Sequence, residues 1–118
     1  MSRIRTVKPD FWTSEQVVGC SFTARLLFIG LWNFCDDNGI HPDAPKRIKM
    51  EVFPADGLSE GDVGILLDEL VSAGLLARYS VSDTTYVRVT GWHKHQKIDR
   101  PNYRHPLPTG EVPNASAR

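Results

Sequence analysis

The chain has 118 residues, 41% of them hydrophobic and 24% charged, with 14 Lys and Arg balanced by 14 Asp and Glu. That is enough chain for one core, and a composition too ordinary for wholesale disorder. The longest strongly apolar stretch, Leu26 to Cys35, is broken by Gly30 and Asn33, and it falls far short of the ~20 residues that cross a bilayer.

The N-terminus carries no apolar h-region, so a soluble cytoplasmic protein is expected. Cys20 and Cys35, with no Cys-x-x-Cys pair, read as buried reduced thiols. The zero net charge hides a partition. Residues Asp36 to Asp83 hold ten acids and four bases, a net of −6, whereas the segments before and after carry +2 and +4.

Residues Met1 to Lys8 read as extended, because Pro9 disfavours helix in the residue before it. Asp10 to Val18 holds a short helix pattern with Thr13 and Gln16 spaced as a capping box, and Gly19 stops it. Ser21 to Asp36 is a stronger helix, capped by Ser21 and apolar nearly all round, hence buried on most sides. At roughly 100° per residue, Phe28 and Trp32 fall on its polar side beside Arg25 and Asp36. The N-terminal arm, the C-terminal tail or a second subunit must cover them.

Asp36-Asp37-Asn38-Gly39 is a turn signal. Ile40 to Pro42 reads as a very short strand. Pro45 opens a helix running to about Phe53 that exposes Lys46, Arg47 and Lys49. Ser59 to Ala73 is a helix with Ser59 and Asp62 as its capping pair and Gly74 as its stop. Val63, Leu66, Leu67, Leu70 and Val71 form its inner stripe, and Gly61, Asp62, Ile65, Asp68, Glu69 and Ser72 its outer face.

Leu75 to Val81 and Tyr86 to Trp92 alternate at period two and predict a hairpin. Pairing Arg78 with Arg88 and Ser80 with Tyr86 turns Ala77, Tyr79 and Val81 inward with Val87 and Val89, around a three-residue Ser82–Thr84 loop. Residues 1–100 thus form one domain. Residues 101–118, holding Pro101, Pro106, Pro108 and Pro113, read as a disordered Pro-rich tail.

The order helix, short strand, helix, helix, strand, tight loop, strand is that of a winged helix, a mostly helical α+β fold with a helix-turn-helix core and a C-terminal β-hairpin wing. Four stretches strengthen this reading: Arg3-Ile-Arg-Thr-Val-Lys-Pro-Asp-Phe-Trp, Ala24-Arg-Leu-Leu-Phe-Ile-Gly-Leu-Trp, Pro45-Lys-Arg-Ile-Lys-Met and Trp92-His-Lys-His-Gln-Lys-Ile-Asp-Arg-Pro. Over residues 3 to 101 the chain resembles the N-terminal domain of phage and prophage replication proteins of the replisome-organiser type, related in fold to helicase-loading primosomal proteins. The resemblance implies a domain acting in phage DNA replication in the host cytoplasm, often as part of an oligomer. It also implies a C-terminal region beyond the Pro-rich linker that engages DNA or helicase, and the sequence stops at Arg118 short of one.

A helix-turn-helix fold ordinarily puts its second helix in the major groove. Ser59–Ala73 has no Lys, Arg, Asn or Gln to read bases and presents Glu60, Asp62, Asp68 and Glu69 to the phosphates instead. The DNA surface expected here is therefore the basic flanks. It joins Arg3, Arg5 and Lys8 to Lys46, Arg47 and Lys49, with Arg78 and Arg88 of the wing and Lys94, Lys97, Arg100 and Arg104 adding to it. Trp92 and Tyr103 are its aromatic neighbours, unless Trp92 caps the core. Such a surface binds DNA with weak sequence specificity.

The acidic helix offers a different use, as the contact of an assembly module. Asp62, Ile65, Asp68 and Glu69, with Phe28 and Trp32 as apolar anchor, could meet the basic ends of another copy or of another replication protein. A transcriptional regulator is a third reading, disfavoured by the acidic recognition helix. His93 and His95 share a face if their segment is a strand, but with His41 and His105 they lack a third ligand at fixed spacing, so no metal is expected. No catalytic or cofactor-binding motif is present in the sequence, and no enzyme is expected.

Overall fold

The computed structural model describes residues 2–109. It is an α+β structure whose elements are a 3₁₀ turn at Pro9–Thr13, α1 at Glu15–Val18, α2 at Phe22–Phe34, β1 at Ile40–Pro42, α3 at Pro45–Val52, α4 at Glu60–Ser72, β2 at Leu76–Val81, β3 at Thr84–Val89 and α5 at Trp92–His95. Among the described residues, no helix is long and apolar enough to cross a membrane.

Local signals account for the two long helices. Ser21 Oγ accepts from the Ala24 amide and starts α2. Ser59 and Asp62 close both halves of a capping box on α4, and Gly74 leaves it at φ 78°. Ala24, Leu27 and Leu31 of α2 meet Val63, Leu67 and Leu70 of α4, Ile48 of α3 and Val87 of β3 in a core of fully buried side chains. Cys20 and Cys35 are free and buried, and burial pushes both thiols up.

The Asp10–Val18 pattern resolves into two pieces, and its capping box does not form. Gln16 instead donates from Nε2 to the carbonyl of Ala73, across the structure at the end of α4. The all-round apolar α2 is also less enclosed than its composition suggests, for Phe22 and Leu26 are exposed.

The strands form an antiparallel sheet in the order β1-β3-β2. Its hairpin register differs by one from the sequence expectation. Ser82 and Asp83 adopt left-handed φ values of 50° and 65°, giving a two-residue turn that matches strand twist. Arg78 therefore pairs with Val87, Ala77 with Arg88 and Tyr79 with Tyr86. A one-residue slip exchanges faces. Leu76, Val87 and Val89 face the core, whereas Ala77, Tyr79 and Val81 turn outward.

The expected disorder after Pro101 does not hold for residues 101–109. This segment straps the outer face of the sheet: Tyr79 donates to the Pro106 carbonyl at 2.7 Å, and Tyr86 packs against the His105 ring at 5.7 Å. For residues 110–118 that expectation lies outside the described residues.

Candidate nucleic-acid interface

Two consecutive buried carboxylates organise the surface on which the basic segments lie. Asp36 Oδ1 accepts from the amides of Asn38 and Ile40, and its Oδ2 from those of Arg104 and His105, at 2.9 to 3.1 Å. Asp37 Oδ1 accepts from Arg5, and its Oδ2 from Arg3 and the Asn102 amide. Burial alone would raise the Asp37 carboxyl. The Asn102 amide and the Arg5 and Arg3 guanidiniums outweigh it and hold the group below its ordinary value. The turn read from Asp36-Asp37-Asn38-Gly39 is thus also the anchor for both terminal segments.

Gly39 is part of that anchor. It sits at φ 75° under the Trp92 ring, where a Cβ would lie 2.7 Å from the indole. Trp92 caps the core, with Nε1 donating to the Asp37 carbonyl and Arg5 stacked on its face at 4.8 Å. It is therefore no stacking platform for bases.

Several of the expected DNA contacts are spent inside the molecule. Arg5 donates to the carbonyls of Trp32 and Cys35 as well as to Asp37, satisfying orphan groups at the end of α2. Arg3 pairs with Asp37 and also donates to the Asp99 carbonyl. Arg78 bridges Asp43 at 2.9 Å and Asp68 at 2.7 Å, tying β2 to α4. These three, expected to face phosphate, each carry partners within the molecule. Lys8 donates to the Lys94 carbonyl, and Lys49 to that of Phe53 at the end of α3.

The remaining cations lie on α3, the α5 segment and the strap. Lys46, Lys94, Lys97 and Arg100 are exposed. Arg47 is exposed too, with Nε 3.5 Å from Glu51. Arg88 is half-buried on the outer face of the sheet, opposite Ile40 and Ala77. Arg104 of the strap is exposed, and the charges of Arg104 and of Arg47 on α3 are both felt at the ring of His105. Burial is the largest cause of the lowered His105 pKa; Asp36 pulls the other way, and the charges of His41, Arg104 and Arg47 add to the lowering. His93 is lowered by burial and by Arg88, and its Nε2 meets Asn38 at 3.0 Å.

The expected partner face is rearranged as well. Phe28 and Trp32 are 4% and 6% exposed, covered by Phe11 of the N-terminal arm, whose ring lies 6.3 and 5.4 Å from theirs. They are not an apolar anchor for a partner. On α4, Asp68 is held by Arg78, Asp62 is held in the capping box, and Glu69 accepts from the amide and hydroxyl of Ser21. Ile65 remains 67% exposed, and Phe22 and Leu26 supply exposed apolar surface that the sequence reading missed. The signal was there, since α2 has more apolar positions than one inner stripe uses. His93 and His95 lie on the α5 turn rather than on a strand, and no group of three or more potential metal ligands occurs among the described residues.

Comparisons of the chain with protein-family models, curated proteins and solved structures give no significant match.

Proposed function

We propose that this chain is a winged-helix DNA-binding domain of a phage or prophage replication protein, of the replisome-organiser, helicase-loader-like kind, acting by binding in the host cytoplasm. The element order α2, β1, α3, α4, β2, β3 and the sheet order β1-β3-β2 support the winged-helix layout. In that layout α3 and α4 are the helix pair, and the β2–β3 hairpin is the wing. The replication assignment rests on the sequence resemblance over residues 3 to 101.

The observation that carries DNA binding is the exposure of Lys46 and Arg47 on α3 and of Arg104 on the strap, with the charges of Arg47 and Arg104 both felt at His105. This cluster joins two segments of the chain into one cationic surface of the kind that tracks phosphates. The acidic outer face of α4 stays away from DNA. A duplex titrated by fluorescence anisotropy at several salt concentrations tests the reading. Replacing Lys46, Arg47 and Arg104 with Ala together should weaken binding and lower the salt slope by about 2 to 3, for three phosphate contacts. Wild-type chain that binds no DNA at low salt would end the proposal.

A second reading, an assembly module, is favoured by the exposed Phe22, Leu26 and Ile65. It predicts a concentration-dependent oligomer by light scattering that Leu26→Glu dissociates.

A further inference from the structure

Between the N-terminal arm, α2 and the segment leaving β3 lies a pocket of about 330 Å³, at the lower end of the usual size for small-molecule sites. Its floor and walls are apolar and largely aromatic: Phe11, Phe28, Trp32 and Trp92, with Val17 and Val89. Its polar lining includes Lys8, His95, Asp10 and Ser14. The only buried side-chain nitrogen or oxygen without a hydrogen-bond partner among the described residues is Nε1 of Trp32, one of the residues that line this pocket. A buried N–H left unpaired is costly, and native structures keep few of them. The rings of Phe11 and Phe28 stand at 84° and 77° to the indole, and their π faces are weak acceptors at best.

We propose that this pocket takes an unstacked nucleobase from single-stranded nucleic acid. The proposal rests on the nucleic-acid reading given above and deepens it. The rings of Phe11, Phe28 and Trp32 suit the π face of any base, Trp92 closing the pocket without stacking because Arg5 and Gly39 take its faces, and a base carries ring and carbonyl acceptors for an indole donor. Lys8 and His95, with neighbouring Lys94, place donors for the attached phosphate, while Asp10 accepts from an exocyclic amino group. Phe11 is half-buried and rests on Trp32 from the 3₁₀ turn, so its ring is the wall that shifts for an acceptor to reach Nε1. A wholly apolar guest would leave both the orphan donor and the charged rim unused.

The test uses the full chain, a ten-nucleotide oligodeoxycytidine and a duplex of similar length. The chain has three tryptophans, and their indole N–H signals separate the outcomes by NMR. The Trp32 signal, assigned with Trp32→Phe, should shift on adding the single strand. That of Trp92, already donating to Asp37, should move less, and exposed Trp12 serves as reference. Ser14 makes no side-chain cap bond, so Ser14→Phe fills the mouth of the pocket without removing one. It should weaken single-strand binding at least tenfold and leave duplex binding within about twofold.

If the single strand binds with the Trp32 signal unmoved, or a folded Ser14→Phe binds it as wild type does, the pocket proposal is overturned and the cationic surface stands. If neither nucleic acid binds at low salt, both readings fall.

Discussion

The guanidinium of Arg5 meets the carboxylate of Asp37 at 2.8 Å across 32 positions of sequence, and both side chains are only 3% exposed. This pair fastens the N-terminal arm to the turn after α2, and the arm in turn lays Phe11 over Phe28 and Trp32. One buried ion pair thereby decides which face of α2 is closed to partners.

Asp37→Asn keeps the shape of the side chain but strands Arg5 without its charge partner. Removing one member of a buried pair typically costs about 3 kcal/mol or more, and urea denaturation at pH 7 should show a loss of that size. The carboxyl is held below its ordinary pKa, so its contribution is complete above the unfolded value, about 4, and is lost as pH falls through the folded one. The wild-type urea midpoint should therefore drop on acidification below that value, and the variant should show a shallower drop. Parallel curves would remove Asp37 from the acid response.

His105 and His93 both have lowered pKa values. For a base held neutral in the fold, the unfolded chain takes up the proton first, so stability falls as pH drops below the ordinary value of about 6.5. His105→Phe keeps a ring against Tyr86 and removes one of these titrations. Thermal melts between pH 7 and 5 should show a weaker pH dependence in the variant, most of the remainder coming from His93.

The β2–β3 turn places Ser82 and Asp83 at φ 50° and 65°. An Asn-Gly pair suits a two-residue turn of this hand better than Ser-Asp does. Ser82→Asn combined with Asp83→Gly should stabilise the chain by about 0.5 to 1 kcal/mol, read as a higher urea midpoint with unchanged slope. A destabilised double variant would argue for a longer loop in the register first read from the sequence.

Ending the chain at Pro101 removes the amides of Asn102, Arg104 and His105 from Asp36 and Asp37, and uncovers Tyr86. Underpaired buried carboxylates cost about 1 to 3 kcal/mol, so the truncated chain should melt lower, with faster amide exchange in β1 and β3.

The legible features share a short reach. Ser21 with Ala24 and Ser59 with Asp62 are contacts within one helical turn, and the residue types at those spacings specify them. Pro45 and Gly74 mark helix ends by the backbone angles they allow. The hairpin was visible as two alternating runs, yet its register hung on whether Ser82 and Asp83 would accept positive φ, and non-glycine residues there gave no clear sign. At the candidate site, exposed Lys46, Arg47, Lys94 and Lys97 could be named from composition. Which other cations remain available could not, because Arg5 and Arg78 are paired with Asp37, Asp43 and Asp68 through folding alone.

Local chemistry alone therefore set the two long helices, the alternating strand runs and the absence of base-reading side chains on α4, since each depends on neighbours within a few residues. Tertiary structure decided the rest: the sheet face that meets the core, the cover over Phe28 and Trp32, the strap on Asp36, and the pairing of Arg5 and Arg78 with acids of other elements. Those contacts join residues tens of positions apart, and electrostatic pairing and burial between such residues exist only once the chain has closed on itself.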